Sequence, residues 1–161
     1  MLTQLLRRPT NAAPDLLTSK LYDEKTFYSP FLKDLSNCQS ELIIESPFIT
    51  YRRLNELLPT LKKLKERSVR IAIVTKDPRD HDKDYLRADA TEALATLQRL
   101  GIHVIYTDGH HRKLAILDRR VLYEGSLNIL SQHNSREIMR RIESVQLAWQ
   151  MARFVGVDRF L

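Results

Sequence analysis

The sequence predicts one α/β domain in which a mixed, largely parallel β-sheet is flanked by helices. Two patterns in the chain favour this fold. Short β-branched runs alternate with longer segments whose apolar residues recur at helical spacing, and two further apolar runs then follow one another directly. Strands that are joined by helices should pair in parallel, whereas the last two runs should form an antiparallel hairpin. The 161 residues suit one compact domain.

The first half of the chain begins with residues 1–20, which have no regular pattern and carry Pro9 and Pro14. We expect these residues to form an N-terminal arm or linker, followed by a single domain over residues 21–161. Apolar spacing and β-branched content then predict a helix over Thr26–Leu35, a buried strand over Glu41–Ile49, an amphipathic helix over Leu54–Glu66 and a strand over Val69–Thr75.

The second half opens with a charged segment, Lys76–Ala88, which we expect to be a loop that leads towards a helix. Gly101 is placed to end that helix in the left-handed conformation. The remaining elements that the same patterns predict are a helix over Ala90–Leu100, strands over Ile102–Tyr106, Lys113–Leu117 and Val121–Tyr123, and a helix within Arg136–Met151, at least in its later part.

The composition favours a cytoplasmic protein with an anionic partner. The net charge of +6 and the pI of about 9.6 favour DNA, RNA or an anionic membrane surface as that partner. The chain contains no apolar run of membrane-spanning length and no secretory leader pattern, so we expect no membrane segment. The single cysteine, Cys38, excludes an internal disulfide, and we expect it to be a small buried side chain.

One region carries a specific motif. Its six residues are His111, Lys113 and Asp118, followed after a gap by Gly125, Ser126 and Asn128. The pattern His-x-Lys-x4-Asp with Gly-Ser-x-Asn resembles the signature of the phospholipase D superfamily. The resemblance extends over residues 22–145, because Ser46–Phe48 ends a predicted strand and Glu137 follows the motif as in that superfamily. It implies a phospholipase D-like fold with one motif in the chain.

The spacing of the motif also makes physical sense. Residues two apart on a strand share a face, so His111 and Lys113 should point the same way, and so should Ser126 and Asn128. Two paired strands would then bring all four side chains to one spot. Asp118 has the opposite parity and lies at the expected turn. We therefore expect Asp118 mainly to hold the turn or a neighbouring backbone rather than to touch substrate.

The resemblance implies a metal-independent phosphodiesterase that needs no cofactor. In its mechanism His111 attacks phosphorus to form a phosphohistidine, and a second histidine protonates the leaving oxygen and later activates water. Lys113 and Asn128 would bind the non-bridging oxygens on which charge develops. Glu137 would orient the imidazole of His111. No zinc site is expected, because the chain has one cysteine and its histidines lack ligand spacing.

That mechanism needs two such histidines, whereas the chain has one complete motif. His81 and Lys83 repeat the His-x-Lys pattern, but Asp89 lies one position too late and no Gly-Ser-x-Asn follows. We therefore expect a two-fold homodimer that brings two copies of His111 together. The single-motif bacterial endonuclease branch of the superfamily is built in this way.

Basic and aromatic residues near the motif allow two interpretations. The arginines of this region either contact substrate phosphates or form a solvated surface, and the sequence leaves both open. The substrate-contact interpretation applies first to Arg112, Arg136 and Arg140, and extends to Arg119, Arg120 and Arg141. Trp149 and Phe154 are expected to anchor the last helix in the core or in a dimer interface. His103 and His110 are expected to lie outside the chemistry, and His133 is expected on the surface, where it could contact substrate.

Three functions are compatible with these observations. The first is an endonuclease that hydrolyses DNA or RNA. The second is a nucleic-acid-binding accessory domain with weak or partner-dependent cleavage, because residues 133–141 are similar to phospholipase D-like domains attached to bacterial helicases and defence systems. The third is a phospholipase or phosphatidyltransferase, which is disfavoured because lipid-acting members usually carry two motifs in a longer chain.

Overall fold

A seven-stranded sheet organises the described part of the chain in a computed structural model, which describes residues 14–157 and 161. The strands are β1 (Lys20–Asp23), β2 (Glu41–Glu45), β3 (Arg70–Thr75), β4 (His103–Tyr106), β5 (Leu114–Leu117), β6 (Val121–Gly125) and β7 (Ile138–Glu143). Their order across the sheet is β1-β7-β6-β5-β2-β3-β4. The predicted α/β fold with a mixed sheet is therefore confirmed.

Helices cover both faces of this sheet. They are α1 (Pro14–Leu17), α2 (Tyr28–Asn37), α3 (Tyr51–Glu66), α4 (Asp84–Arg99) and α5 (Val145–Val155), with a short 3-10 turn at Pro78–Asp80. Side-chain caps define where two of them begin. Thr50 accepts a hydrogen bond from the backbone of Arg53 at the start of α3, and Ser144 accepts one from Leu147 at the start of α5. Gly156 ends α5 with φ of 69°, in the left-handed region.

Parallel pairing is confined to one side of the sheet and accounts for two of the six strand pairs among the described residues, so the sheet is mixed as predicted but not largely parallel. β2 pairs in parallel with β3, and β3 with β4, as the intervening helices predict. The predicted hairpin of β5 and β6 is also confirmed. The other pairs are antiparallel, since β5 returns beside β2 and is followed by β6 and β7, and β1 completes that side.

Apolar side chains fill the space on both faces of the sheet. α2, α3 and α4 pack on one face, over residues such as Ile44 and Ile73. α5 packs on the other face, over residues such as Ile43 and Ile116. All five residues of β2 are buried, which explains why this strand has a continuous apolar pattern rather than an alternating one.

Several predicted boundaries differ from the structure. The helix expected within Arg136–Met151 is correct only in its later part, because residues 138–143 form β7 between β6 and β1. α4 begins at Asp84, within the predicted loop. β2 ends at Glu45, since Pro47 cannot continue the ladder. Of the expected N-terminal arm, residues 1–13 lie outside the described residues, and Pro14–Leu17 forms α1.

The two aromatic residues of α5 are not core residues of this chain. Trp149 is 44% exposed and Phe154 is 74% exposed. Of the two predicted environments, the core is therefore excluded, and a dimer interface stays a prediction. Cys38, by contrast, is buried as predicted, and its thiol donates to the backbone oxygen of Glu41.

Gly125 lies where β6 approaches β7 most closely. A Cβ atom at this position would overlap the carbonyl oxygen of Ile138 and would lie 2.9 Å from Cα of Met139. Both obstacles are backbone atoms, which cannot move aside without disturbing the pairing of the two strands. The glycine of the Gly-Ser-x-Asn motif is therefore a packing requirement of the sheet.

We predict that Gly125→Ala lowers the free energy of unfolding by about 1–3 kcal/mol, because the added methyl overpacks the β6–β7 contact. Urea denaturation measures this change. Glu124→Ala, at the neighbouring and partly exposed position, should change the free energy by less than about 0.5 kcal/mol. Equal urea midpoints for Gly125→Ala and the parent would contradict the steric argument.

Candidate active site

Strand directions bring both parts of the motif to one edge of the sheet. This edge, which we call the site edge, is where β2 and β3 end, β5 begins, β6 ends and β7 begins. His111 and Lys113 directly precede β5, and Ser126 and Asn128 directly follow β6. Glu137 directly precedes β7. The carboxyl ends of parallel strands are a common place for ligands in α/β sheets.

The hairpin register aligns the two halves of the motif. Leu114 of β5 is paired with Glu124 of β6, and the backbone N–H of Gly125 donates to the oxygen of Lys113 over 3.3 Å. The segment that carries His111 therefore runs alongside the segment that carries Ser126. The sequence pattern predicted this juxtaposition of the two segments.

The His111 imidazole is exposed and makes no hydrogen bond with the described residues. The Lys113 ammonium donates to the backbone oxygen of His111 over 2.7 Å, so its positive charge lies next to that residue. Glu137 does not contact His111 within this chain. Its backbone N–H instead donates to the Glu24 carboxylate over 3.1 Å. The expected contact between Glu137 and the imidazole is thus not present among the described residues.

Ser126 and Asn128 have different surroundings. Ser126 is fastened to β7 twice, because its N–H donates to the oxygen of Ile138 and its hydroxyl accepts from the N–H of the same residue. The Oδ1 atom of Asn128 is buried and has no hydrogen-bond partner among the described residues. A buried polar atom without a partner is costly, and because this oxygen can only accept, what it lacks is a hydrogen-bond donor.

Residues outside the motif hold the segment around Asn128. The Ser46 hydroxyl accepts from the N–H of Leu130 over 3.2 Å and donates to the oxygen of Phe48 over 2.9 Å. The Tyr28 hydroxyl donates to the oxygen of Ile129 over 2.9 Å. Ser46 was signalled by the Ser-Pro-Phe sequence, whereas nothing in the local pattern around Tyr28 indicated its role.

An ion pair between Arg112 and a buried carboxylate anchors the segment that carries His111. Arg112 lies 2.7 Å from the carboxylate of Glu45, which is fully buried at the end of β2. Burial raises the pKa of Glu45, and the nearby Arg112 guanidinium opposes that shift. No local pattern indicated a role for Glu45, because it occupies the last position of an apolar strand. Arg112 is bound to Glu45, although 42% of its side chain remains exposed.

The other predicted substrate arginines lie at different places. Arg136 lines a cavity of about 440 Å³ at the site edge, together with Glu24, Ser126 and Glu137. Arg140 lies within β7 and donates to the hydroxyl of Ser19 over 2.7 Å, so it is directed away from this edge. Two further arginines near the motif form ion pairs within the fold. They are Arg119 with Glu41 and Arg141 with Asp34.

Asp118 lies at the opposite edge of the sheet, in the turn between β5 and β6. Its carboxylate accepts hydrogen bonds from the backbone of Gln39, Ser40 and Glu41, over 2.7–3.0 Å. Burial would raise the pKa of Asp118, but these hydrogen bonds together hold it below its ordinary value. The contacts agree with the expected role in holding the turn and neighbouring backbone, and they separate Asp118 from the other motif residues.

The remaining histidines have surroundings unlike that of His111. His110 is buried, and burial together with the charge of Arg112 lowers its pKa to about 4. His81 is buried against Phe48, with ring centroids 5.4 Å apart, and Asp89 accepts from the backbone of Tyr51. His81 is thus a packing residue and Lys83 is the N-cap of α4, so this His-x-Lys sequence does not lie next to a strand as the motif at His111 does. The other two are His103, at the start of β4, and His133, whose Nδ1 lies 2.9 Å from Arg52.

Neither a metal-binding cluster nor a membrane-spanning helix occurs among the described residues. Within residues 14–157 and 161, no group of three or more histidine, cysteine, aspartate or glutamate side chains is placed to hold a metal ion. None of the described helices is both long enough and apolar enough to cross a bilayer.

Comparisons with known proteins identify related folds. The family model described as "Cardiolipin synthase, PLD-like domain" matches residues 31–155. A phospholipase D family member, Nuc from Salmonella typhimurium, is similar in structure with a TM-score of 0.69 and 16% identity, over 85% of this chain and 90% of Nuc. NucT from Helicobacter pylori has a TM-score of 0.67 and 15% identity, over 84% and 91%.

A larger enzyme contains the same fold as one part of its chain. Polyphosphate kinase from Porphyromonas gingivalis has a TM-score of 0.67 and 11% identity, over 98% of this chain and 28% of that enzyme. No curated protein matches the sequence significantly. At these identities the structural similarities establish the fold.

We predict that Asp118→Asn destabilises the protein by about 1–3 kcal/mol at pH 7, because the amide cannot accept all the hydrogen bonds that the carboxylate accepts. A depressed folded-state pKa contributes stability above the unfolded value of about 3.9 and loses it as the pH falls through the folded value. The difference between parent and variant should therefore shrink below about pH 4. Urea denaturation at several pH values measures it.

The exposed Asp82 provides a control for this experiment. Asp82→Asn should change the free energy of unfolding by less than about 0.5 kcal/mol at pH 7. A constant difference between Asp118→Asn and the parent down to pH 2 would show that the carboxylate charge does not hold the turn.

Proposed function

Because this chain belongs to the phospholipase D-like domain family, we propose that it is a phosphodiesterase that cleaves nucleic acid with His111 as nucleophile. The observation that carries the proposal is the juxtaposition at the site edge. The exposed imidazole of His111, the charge of Lys113 and the amide of Asn128, whose NH₂ group can donate, belong to two neighbouring segments at one hairpin. These are the groups that two-step phosphoryl transfer requires.

The chemistry proceeds in two displacements. A ring nitrogen of His111 attacks phosphorus, a P–N bond forms, and the P–O bond to the leaving oxygen breaks as a second imidazole protonates that oxygen. Water then attacks phosphorus, the same second imidazole accepts its proton, and the P–N bond breaks to regenerate His111. Lys113 and the NH₂ group of Asn128 bind the non-bridging oxygens, where their positive charge and hydrogen bonds favour the transition state.

The second imidazole is best supplied by a second copy of the chain. Within the described residues, the other histidines are poorly suited to the role. His110 and His81 are buried, His103 begins β4 at the edge opposite the site, and His133 contacts Arg52. The exposed Phe154, whose ring centroid lies 5.9 Å from the Arg112 guanidinium, offers apolar surface next to the site for contact between subunits. A homodimer that pairs two copies of His111 would complete the catalytic pair.

Nucleic acid is the substrate that the charge of the chain favours. The net charge of +6 supports binding to a polyanion, and Arg136 and Lys113 contribute positive charge at the site edge. The description of the matching family model, which names cardiolipin synthase, favours a second candidate, a phosphatidyl transfer or phospholipase reaction. Release of soluble headgroup from phospholipid vesicles, without cleavage of oligonucleotides, would select that candidate.

We predict that the purified protein cleaves DNA or RNA in the presence of EDTA. His111→Ala should reduce the rate by at least about 10⁴-fold, because it removes the nucleophile. Asn128→Ala should reduce kcat by about 10²–10³-fold, because it removes one donor to the developing charge. His103→Ala, at the opposite edge, should cleave at the parent rate. A gel-based cleavage assay with labelled oligonucleotides measures all four proteins.

The outcomes of this assay separate the alternatives. Cleavage that survives His111→Ala would refute the assignment of the nucleophile, and cleavage that EDTA abolishes would refute the metal-independent mechanism. Salt-sensitive binding without turnover would identify an accessory module that works with a helicase or another DNA-processing partner.

We predict that the active species has twice the 18.8 kDa mass of one chain in sedimentation experiments. Each mixed dimer of parent and His111→Ala subunits lacks one of the two imidazoles. Exchange of subunits in an equimolar mixture should therefore reduce the total activity by about half relative to the unexchanged mixture. Full activity from a monomer, or activity unaffected by exchange, would refute the shared site.

A further inference from the structure

A second cavity lies beside the site edge, on the face covered by α3 and α4. Its volume is about 440 Å³, within the range of small-molecule sites. One wall is formed by Ser131–His133, a segment that begins three residues after Asn128. The opposite wall is formed by Tyr85 and Leu86 at the start of α4. The cavity is therefore next to the proposed reaction centre but contains none of its residues.

Tyr85 gives this cavity an aromatic wall. It is 65% exposed and lies in the first turn of α4. The ammonium of Lys83 lies 5.8 Å from its ring centroid. An exposed aromatic face beside a cation is the arrangement with which single-strand-binding proteins stack nucleobases, since every base has a π-face.

Arg52 and His133 form a polar group at the same cavity. The guanidinium of Arg52 lies 2.9 Å from Nδ1 of His133. Because arginine can only donate, Nδ1 accepts, and Nε2 carries the proton of a neutral ring. Arg52 forms no ion pair with the described residues. The neighbouring Arg53, by contrast, is held by Glu56 and by the backbone oxygen of Gln132.

We propose that this cavity binds one unpaired nucleotide of the substrate beside the scissile phosphate. The base stacks on Tyr85, and its phosphate accepts from Arg52 and His133. A base in a duplex is already stacked on both sides and cannot enter. The proposal rests on the proposed nuclease function and adds a substrate class to it, namely single-stranded or locally unpaired nucleic acid.

The test is equilibrium binding by His111→Ala protein, which prevents turnover, to a labelled oligothymidylate of about 20 nucleotides and to a blunt duplex of equal length. Tyr85→Ala in this background should weaken single-strand binding by about 5- to 100-fold and leave duplex binding unchanged. Tyr85→Phe should retain the affinity, because it keeps the stacking face. Arg52→Ala should reduce the slope of log K against log salt by about 1, as expected for one lost phosphate contact.

Tyr106 provides a matched control, since it is also an exposed tyrosine and lies at the end of the outermost strand β4, outside the lining of this cavity. Tyr106→Ala should bind both ligands as the parent does. Equal single-strand affinity for Tyr85→Ala and the parent would overturn the nucleotide pocket, and so would an equal loss of single-strand and duplex affinity. If either of these results is found while the protein with His111 intact cleaves oligonucleotides in EDTA, the nuclease function stands and only the nucleotide pocket is refuted. Absence of both binding and cleavage would overturn both.

Discussion

The antiparallel pairing of β5 with β2 is the constraint on which the rest of the structure depends. β2 is buried along its whole length and is paired in parallel with β3, so it fixes which edge of the sheet collects strand ends. Because β5 runs against it, with Leu114 opposite Glu45 and Leu117 opposite Leu42, the segment that precedes β5 arrives at that same edge. A slip of one residue in this register would turn every side chain of β5 to the other face. The position of His111 is therefore set by apolar pairing in the middle of the sheet.

Buried carboxylates at the two ends of β2 form ion pairs with the nearby arginines. Glu45 at one end binds Arg112, and Glu41 at the other end binds Arg119 and Arg70. Removing one partner from such a pair leaves an uncompensated buried charge, which is strongly destabilising. Positive residues that cluster in the sequence near a phosphodiesterase motif are thus partly committed to the fold. The arrangement leaves Lys113, Arg136 and Arg52 as the cations whose surroundings best suit a phosphate.

Sequence patterns predicted the elements that depend on local residue spacing or on a strongly apolar run. β2, β3, α3 and the β5–β6 hairpin could be predicted in this way, and so could the juxtaposition of the two motif segments. The failures have a common physical origin in long-range contacts. β7 carries Arg140 and Arg141 and is extended because β6 and β1 pair with it on either side. Tyr28 reaches an oxygen 101 residues away, and Glu45 meets an arginine 67 residues away. Local spacing contains no information about such partners.

The turn between β5 and β6 depends on residues that are distant in the chain. Asp118 and Arg119 both have φ near 50°, yet neither is glycine, and L-residues favour this region poorly. What compensates is contact with Ser40 and Glu41, nearly 80 positions earlier in the chain. The turn is therefore supported by contacts that exist only when β2 is paired with β5. Without β2 in place these contacts would be missing, and the segments that carry His111 and Asn128 would lose part of what holds them side by side.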